Sequence, residues 1–161
     1  MLFFQKNEKG VRGENIMATK IKIKNIPTGY QSIITNKRGH SIVGDEPIPS
    51  KGTDLGMSPT ELVLAGISMC KVATVRNVAR RKGWEIGEVN AELSQVARRQ
   101  KDGSFVTTVK SKIHIEGDIT EEQRAELIRE ADNCYVTRVV RGEWNFEHSE
   151  ALAEDQETVT V

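Results

Sequence analysis

Cys70 and Cys134 are the two cysteines of the chain, and by residue type they are the natural centres of covalent chemistry. A thiolate attacks peroxides and disulfides, and the oxidised sulfur is closed into a disulfide by a second thiol. Neither belongs to a Cys-x-x-Cys pair or a Cys/His cluster with zinc spacing, so they read as reactive thiols or as core filler. A mid-helix position gains little from the helix dipole, so activating Cys70 requires a nearby cation. Arg38, at a turn among ordinary strand residues, is the candidate; a solvated turn arginine is the plain alternative. Glu61 could orient that arginine through a bidentate pair, or could simply complete a helix cap. For Cys134, pairing across the core with Cys70 stays open, because sequence does not establish proximity. Arg138 follows Cys134 by one helical turn. His40, His114 and His148 are scattered, and no spacing signature joins them to either cysteine.

The element that must position Cys70 is the stretch from Ser58 onward. Ser58 fits an N-cap, Pro59 the first helical position, and Glu61 the return arm of a capping box. The residues that follow are apolar on nearly every face, which predicts a buried core helix. Gly66, Ala73 and Thr74 neighbour Cys70 on that helix and leave room beside the sulfur. Lys71 and Arg76 interrupt the run, so it does not supply the roughly 18 to 20 uncharged residues of a membrane span. Arg80-Arg81-Lys82 suit its C-terminal dipole, and Gly83 stops it.

Before it, Lys20-Ile21-Lys22-Ile23-Lys24 alternates as a half-buried strand with its lysines outward. Gln31 to Thr35 and His40 to Val43 predict a hairpin through Asn36-Lys37-Arg38-Gly39. Residues 45–57 are rich in Gly, Pro and Asp and predict a loop, the natural place for a substrate rim. After it come a strand from Val89, a turn at Lys101-Asp102-Gly103-Ser104 and a return strand from Phe105 to Ile115. Thr120-Glu121-Glu122-Gln123 caps a second helix with Ala125, Leu127, Ile128 and Ala131 inward, ending just before Cys134. Val136 to Arg141 reads as a further helical turn or a strand, and Trp144 to Glu147 as a last short strand. Strands and helices in this order, without βαβ alternation, predict an α+β fold of antiparallel sheet packed on helices.

Residues 1–16 read as a loosely ordered extension, 17–150 as one domain, and 151–161 as an acidic tail. Lys plus Arg equals Asp plus Glu at 23 each, with the basic residues dispersed. That leaves no footprint for nucleic acid or an anionic membrane surface. Two cysteines do not make a secreted disulfide scaffold, and the N-terminus lacks the apolar core of a signal peptide, so the expected location is cytoplasmic.

The run Arg38-Gly39-His40, Asp45-Glu46-Pro47 and Gly52 to Leu62, then Cys70 and far downstream Cys134, resembles the OsmC/Ohr family of osmotically induced protein C and organic hydroperoxide resistance proteins. The resemblance covers roughly Lys20 to Glu147 and is nearest the broader OsmC-like branch with Asp-Glu-Pro. It implies an intertwined homodimer with the cysteine helices at its core, and a thiol peroxidase using no metal or bound cofactor. It implies that Cys70 attacks an organic hydroperoxide, Cys134 resolves the sulfenic acid and a dithiol reduces the disulfide, with Arg38 stabilising the thiolate and a glutamate holding Arg38. Two positions depart from the family pattern. Thr60 stands where the family often has glutamate, so Glu61 is turned by about 100° around the helix, and Tyr135 replaces the proline after the resolving cysteine. The alternative within the fold is a non-peroxidase that binds a small apolar ligand or senses redox state through its thiols.

Overall fold

The computed structural model describes residues 19–27 and 29–152. The extension at 1–16 and most of the acidic tail lie outside the described residues. The chain divides into two compact units, one up to Leu62 and one from Val63 onward.

The first unit is an antiparallel sheet in the order β1-β2-β3, formed by Ile21–Asn25, Ser32–Asn36 and Ser41–Gly44. Its register sets Ile23 opposite Ile34 and Ile34 opposite Ile42, so one face carries an isoleucine row. The alternation of β1 predicts that this face is half-buried; instead Ile23 and Ile42 are exposed, with Ile34 between them partly buried. The hairpin turn at Asn36–His40 is as expected: Asn36 Oδ1 accepts the backbone N–H groups of Arg38 and His40.

The loop after β3 is pinned from within. Asp45 is a buried carboxylate that accepts the N–H groups of Glu46, Thr53 and Leu55 and the Thr53 hydroxyl, the last at 2.6 Å. These bonds fold the segment back on itself around a 3-10 turn at Ile48–Ser50. Gly52 is obligatory there, since a Cβ would fall 1.7 Å from the Glu46 carbonyl oxygen. The loop then returns to β3 through a parallel bridge between Gly44 and Met57. Charged bonds satisfied on several sides hold the Asp45 carboxyl below its ordinary value, with the Thr53 hydroxyl the largest cause.

Helix α1 (Pro59–Lys82) leads into the second unit. Its stop is a Schellman turn: the Trp84 N–H bonds the Ala79 carbonyl and the Gly83 N–H bonds Arg80, with Gly83 at φ 67° where a side chain would be strained. The hairpin β4 (Val89–Arg99) and β5 (Phe105–Ile115) follows, paired over its whole length. Helix α2 (Glu121–Asp132) begins with a complete capping box between Thr120 and Gln123, and α3 spans Tyr135–Arg141.

Val75, Val78 and Ala79 of α1, Ile115 of β5 and Leu127 and Ala131 of α2 form the core of this unit, rimmed by Trp84, Ile86, Val89 and Ile113. The Arg124 guanidinium bonds the Ile115 carbonyl and the Lys82 ammonium bonds Glu126, fixing α2 to β5 and to the end of α1. The expected α+β architecture with antiparallel sheets is thus present. Three details differ from expectation. Ala125 is exposed, so the inward face of α2 is Leu127, Ile128 and Ala131. Trp144 to Glu147 is not a strand: it pairs with none of the described strands, and Trp144 and Phe146 instead stack on each other at 6.0 Å. Finally, α1 is buried along one stripe only, with Val63 and Met69 exposed, because the unit covers just one side of it. By length and hydropathy alone α1 could cross a bilayer; its buried stripe here packs on protein.

Candidate active site

Cys70 lies in the middle of α1 on a turn lined by small residues. A side chain at Gly66 would meet nothing within 4 Å, and the Thr74 hydroxyl is turned back onto the Cys70 carbonyl at 2.9 Å. Cys70 is partly exposed. Its donor is the Val136 N–H at 3.4 Å, from the first turn of α3.

That contact exists because α2 and α3 meet at a tight joint. The Asn133 N–H bonds Glu130, the Cys134 N–H bonds Ala131, and the Arg138 N–H bonds the Cys134 carbonyl. Cys134 thus becomes the N-cap of α3, and its side chain turns inward to the Thr137 hydroxyl. Cys134 is buried, at 2% exposure, with its sulfur 3.0 Å from the Thr137 hydroxyl. Both cysteines are free thiols, joined through the Val136 N–H two residues after Cys134, and each perturbs the ionisation of the other. A thiol that solvent can reach, backed by one that it cannot, is the arrangement needed to attack an external oxidant and then close a disulfide.

The two thiols ionise unequally. Burial pushes the Cys70 thiol up, and Cys134 pushes it the same way, against the Val136 N–H. Burial also raises Cys134, but the Thr137 hydroxyl and N–H, Cys70 and the Lys71 charge outweigh it and bring that thiol below its ordinary value. The two thiols therefore titrate as a pair, and the steps in which their protons leave belong to both.

Lys71 is the residue next to Cys70, yet it is 4% exposed. Its ammonium reaches Asp132 at 2.6 Å and the Ala131 carbonyl at 3.5 Å. Beside it opens a cavity of about 810 Å³ whose lining includes Val63, Ile67, Phe105 and Val140 as well as Lys71 and Thr137.

In the first unit, Glu61 accepts both the Ser58 N–H at 2.8 Å and the Ser58 hydroxyl at 2.7 Å. The hydroxyl chiefly, and the N–H with it, hold its carboxyl below the usual glutamate value. Arg38 is exposed at the β2–β3 turn and makes no ion pair among the described residues. Glu61 is thus placed in the helix cap, Arg38 in the hairpin turn, and the two cysteines together. Arg138 is exposed on α3, and among the described residues no three His, Cys, Asp or Glu side chains converge as metal ligands.

A family model described as OsmC-like protein matches residues 52–149, more than half of the chain. The chain belongs to the OsmC-like family. The matched span of this OsmC-like chain includes Glu61, Cys70 and Cys134 and begins after Arg38. The fold is shared with solved structures at low identity. An OsmC like protein from Mycoplasma pneumoniae is 18% identical with a TM-score of 0.67, over 78% of this chain and 89% of that one. An organic hydroperoxide resistance protein OsmC from Legionella pneumophila is 19% identical with a TM-score of 0.63, over 80% and 93%. The organic hydroperoxide resistance protein OhrB of Bacillus subtilis is 22% identical with a TM-score of 0.58, over 78% and 92%. The curated proteins provide no match.

The cysteines were legible in this OsmC-like sequence from their type and placement. Lys71, Asp132 and Thr137 were not: a lysine inside an apolar helix reads as an interruption, and its partner is 61 residues away. A cation placed directly beside a cysteine in the apolar part of the helix, where it must find a partner if buried, is the signal that would have found it.

Proposed function

We propose that the chain is a thiol-dependent peroxidase that reduces organic hydroperoxides. The observation that carries this reading is the paired placement of a reachable Cys70 against a buried Cys134. Family membership and neighbours described as organic hydroperoxide resistance proteins support the substrate class. The Cys70 thiolate attacks the terminal oxygen of the hydroperoxide; the O–O bond breaks, and the alkoxide takes a proton and leaves as the alcohol. Cys70 is left as a sulfenic acid. The Cys134 sulfur then attacks the Cys70 sulfur, the S–O bond breaks, and hydroxide leaves as water with the proton that Cys134 gave up. A dithiol reduces the disulfide and is itself oxidised, so each turnover converts one hydroperoxide to alcohol and water.

Cys70 needs a cation to favour its thiolate, and the family resemblance assigns that role to Arg38, held by a glutamate whose usual place is Thr60 here, with Glu61 one residue later and bonded to Ser58. A homodimer is proposed from the apolar surface left open: Ile23 and Ile42 on the first unit, Val63, Met69 and Phe105 on the second. Two free thiols suit a reducing cytoplasm.

The test is consumption of tert-butyl and cumene hydroperoxide with a dithiol reductant, comparing the wild type with Cys70→Ser and Cys134→Ser. Turnover lost with Cys70→Ser and reduced to a single event with Cys134→Ser supports the reading; an inactive wild type overturns it. A second reading is a thiol redox sensor of the same fold, for which the free Cys70 and Cys134 thiols would suffice. That reading predicts reversible disulfide formation without peroxide turnover.

A further inference from the structure

Lys71 asks for an explanation beyond stability. Burying the Lys71 ammonium carries a desolvation cost that pairing with the half-exposed Asp132 often fails to offset, and an apolar side chain of similar size would fill the site at least as well. What an ion pair adds is a fixed geometry. Here the geometry joins two parts of the cysteine pair: Lys71 follows Cys70 on α1, and its ammonium holds Ala131 and Asp132, the last residues of α2 before the joint that carries Cys134.

Side chains on a helix are fixed relative to one another by the backbone, so the Lys71 anchor and the Cys70 sulfur move as one body. At the other end, Asn133 alone separates Asp132 from Cys134, and the Cys134 N–H bonds the same Ala131 residue whose carbonyl Lys71 touches. We propose that Lys71 is a positioning residue that, clamped to Asp132 and the Ala131 carbonyl, holds the end of α2 in register with α1 and so sets the approach of the Cys134 sulfur to Cys70. This rests on the two-cysteine reading above, but not on any particular oxidant. Asp132 is half exposed, so releasing the tether there opens no apolar cavity, although it leaves the buried Lys71 ammonium with only the Ala131 carbonyl.

The test uses 4,4′-dithiodipyridine on the reduced, full-length protein. The Cys70 thiolate attacks the probe disulfide and releases one thiopyridone; the Cys134 thiolate then attacks the Cys70 sulfur, forms the protein disulfide and releases a second. The second phase measures closure, and Cys134→Ser, which releases one equivalent only, identifies it. Lys71→Met is expected to slow the second phase by about tenfold or more, the scale of one pK unit of lost interaction, while leaving the first phase near wild type. Asp132→Asn is expected to slow it less, and Lys71→Arg, which keeps a cation in reach, to restore most of it. A purely structural lysine would lower the melting temperature without changing the second phase. A second phase within twofold of wild type in folded Lys71→Met overturns the proposal. Should that variant not fold, an unchanged second phase in Asp132→Asn overturns it instead. Hydroperoxide turnover is scored separately: closure that depends on Lys71 in a chain without turnover keeps this inference and removes only the peroxidase.

Discussion

The Val136 N–H donates to the Cys70 sulfur across 66 residues of sequence, and in doing so it ties α1 to the joint that carries Cys134, two residues earlier. The donor favours the Cys70 thiolate, while burial and Cys134 oppose it and prevail. Replacing Cys134 by serine removes a neighbour that can itself become an anion. The Cys70 thiol of Cys134→Ser is therefore expected to alkylate faster than wild type at a fixed pH, with its pH midpoint moved down. Iodoacetamide kinetics between pH 6 and pH 10 with mass-spectrometric assignment would check this; a midpoint that stays or rises counts against the coupling.

Asp45 and Thr53 form the other short polar relationship of consequence, at 2.6 Å inside the loop before α1. The Asp45 carboxyl is held below its ordinary value of 3.8. A depressed carboxyl contributes stability that is fully present above the unfolded value and is lost as pH falls through the folded one. Wild type should therefore lose stability as the pH drops below about 4, and Asp45→Asn should be less stable at pH 7 with a flatter acid limb. Urea unfolding followed by circular dichroism at pH 3 and pH 7 would show this, and equal acid sensitivity in both proteins would remove Asp45 as the cause.

These two relationships also mark where the sequence is readable. The Thr120–Gln123 box, the Gly83 stop and the turn at residues 101–104 follow from residues within a few positions of each other, and each is found where its local signal places it. The Asp-Glu-Pro and Gly-Thr-Asp segments read only as a loop, because the bonds from Asp45 to Thr53 and Leu55 span 8 and 10 residues. Trp144 and Phe146 carry a strand's alternation, but alternation creates a strand only where a neighbour supplies the other half of the ladder. The cysteine pair depends on a contact between α1 and the α2–α3 joint, and pairing at that distance has no periodicity from which to read it.

Leu127 is fully buried at the centre of the second unit, between α1 and β5 residues of the same cluster. Leu127→Ala should cost about 2 to 5 kcal/mol, the transfer of the side chain plus the cavity left behind. Because Leu127 precedes the cysteine joint by two turns of helix, the same variant should also slow disulfide closure. Chemical denaturation gives the first quantity; a loss below about 1 kcal/mol would mean that the site collapses around the smaller residue.

Met69 immediately precedes Cys70 but points out of its own unit, with 74% of its surface exposed, and Phe105 on β5 is 67% exposed. Fully burying a large apolar side chain contributes about 1.5 to 3 kcal/mol, so a surface carrying both is costly to leave in water. A second copy of the chain would cover such a surface, and the proposed dimer makes a specific demand on these two residues. Met69→Glu and Phe105→Glu should halve the mass seen by light scattering at micromolar concentration. Their far-ultraviolet circular dichroism should stay that of wild type, because neither side chain belongs to the core of Val75, Val78, Ala79, Ile115, Leu127 and Ala131. Since a buried glutamate must be neutral or paired to enter an apolar interface, the dissociation should be partly reversed at low pH. A wild type that scatters as an 18.0 kDa particle at every concentration would overturn the dimer and leave the exposed isoleucine row of the first unit and Met69 of the second as open surfaces of a monomer.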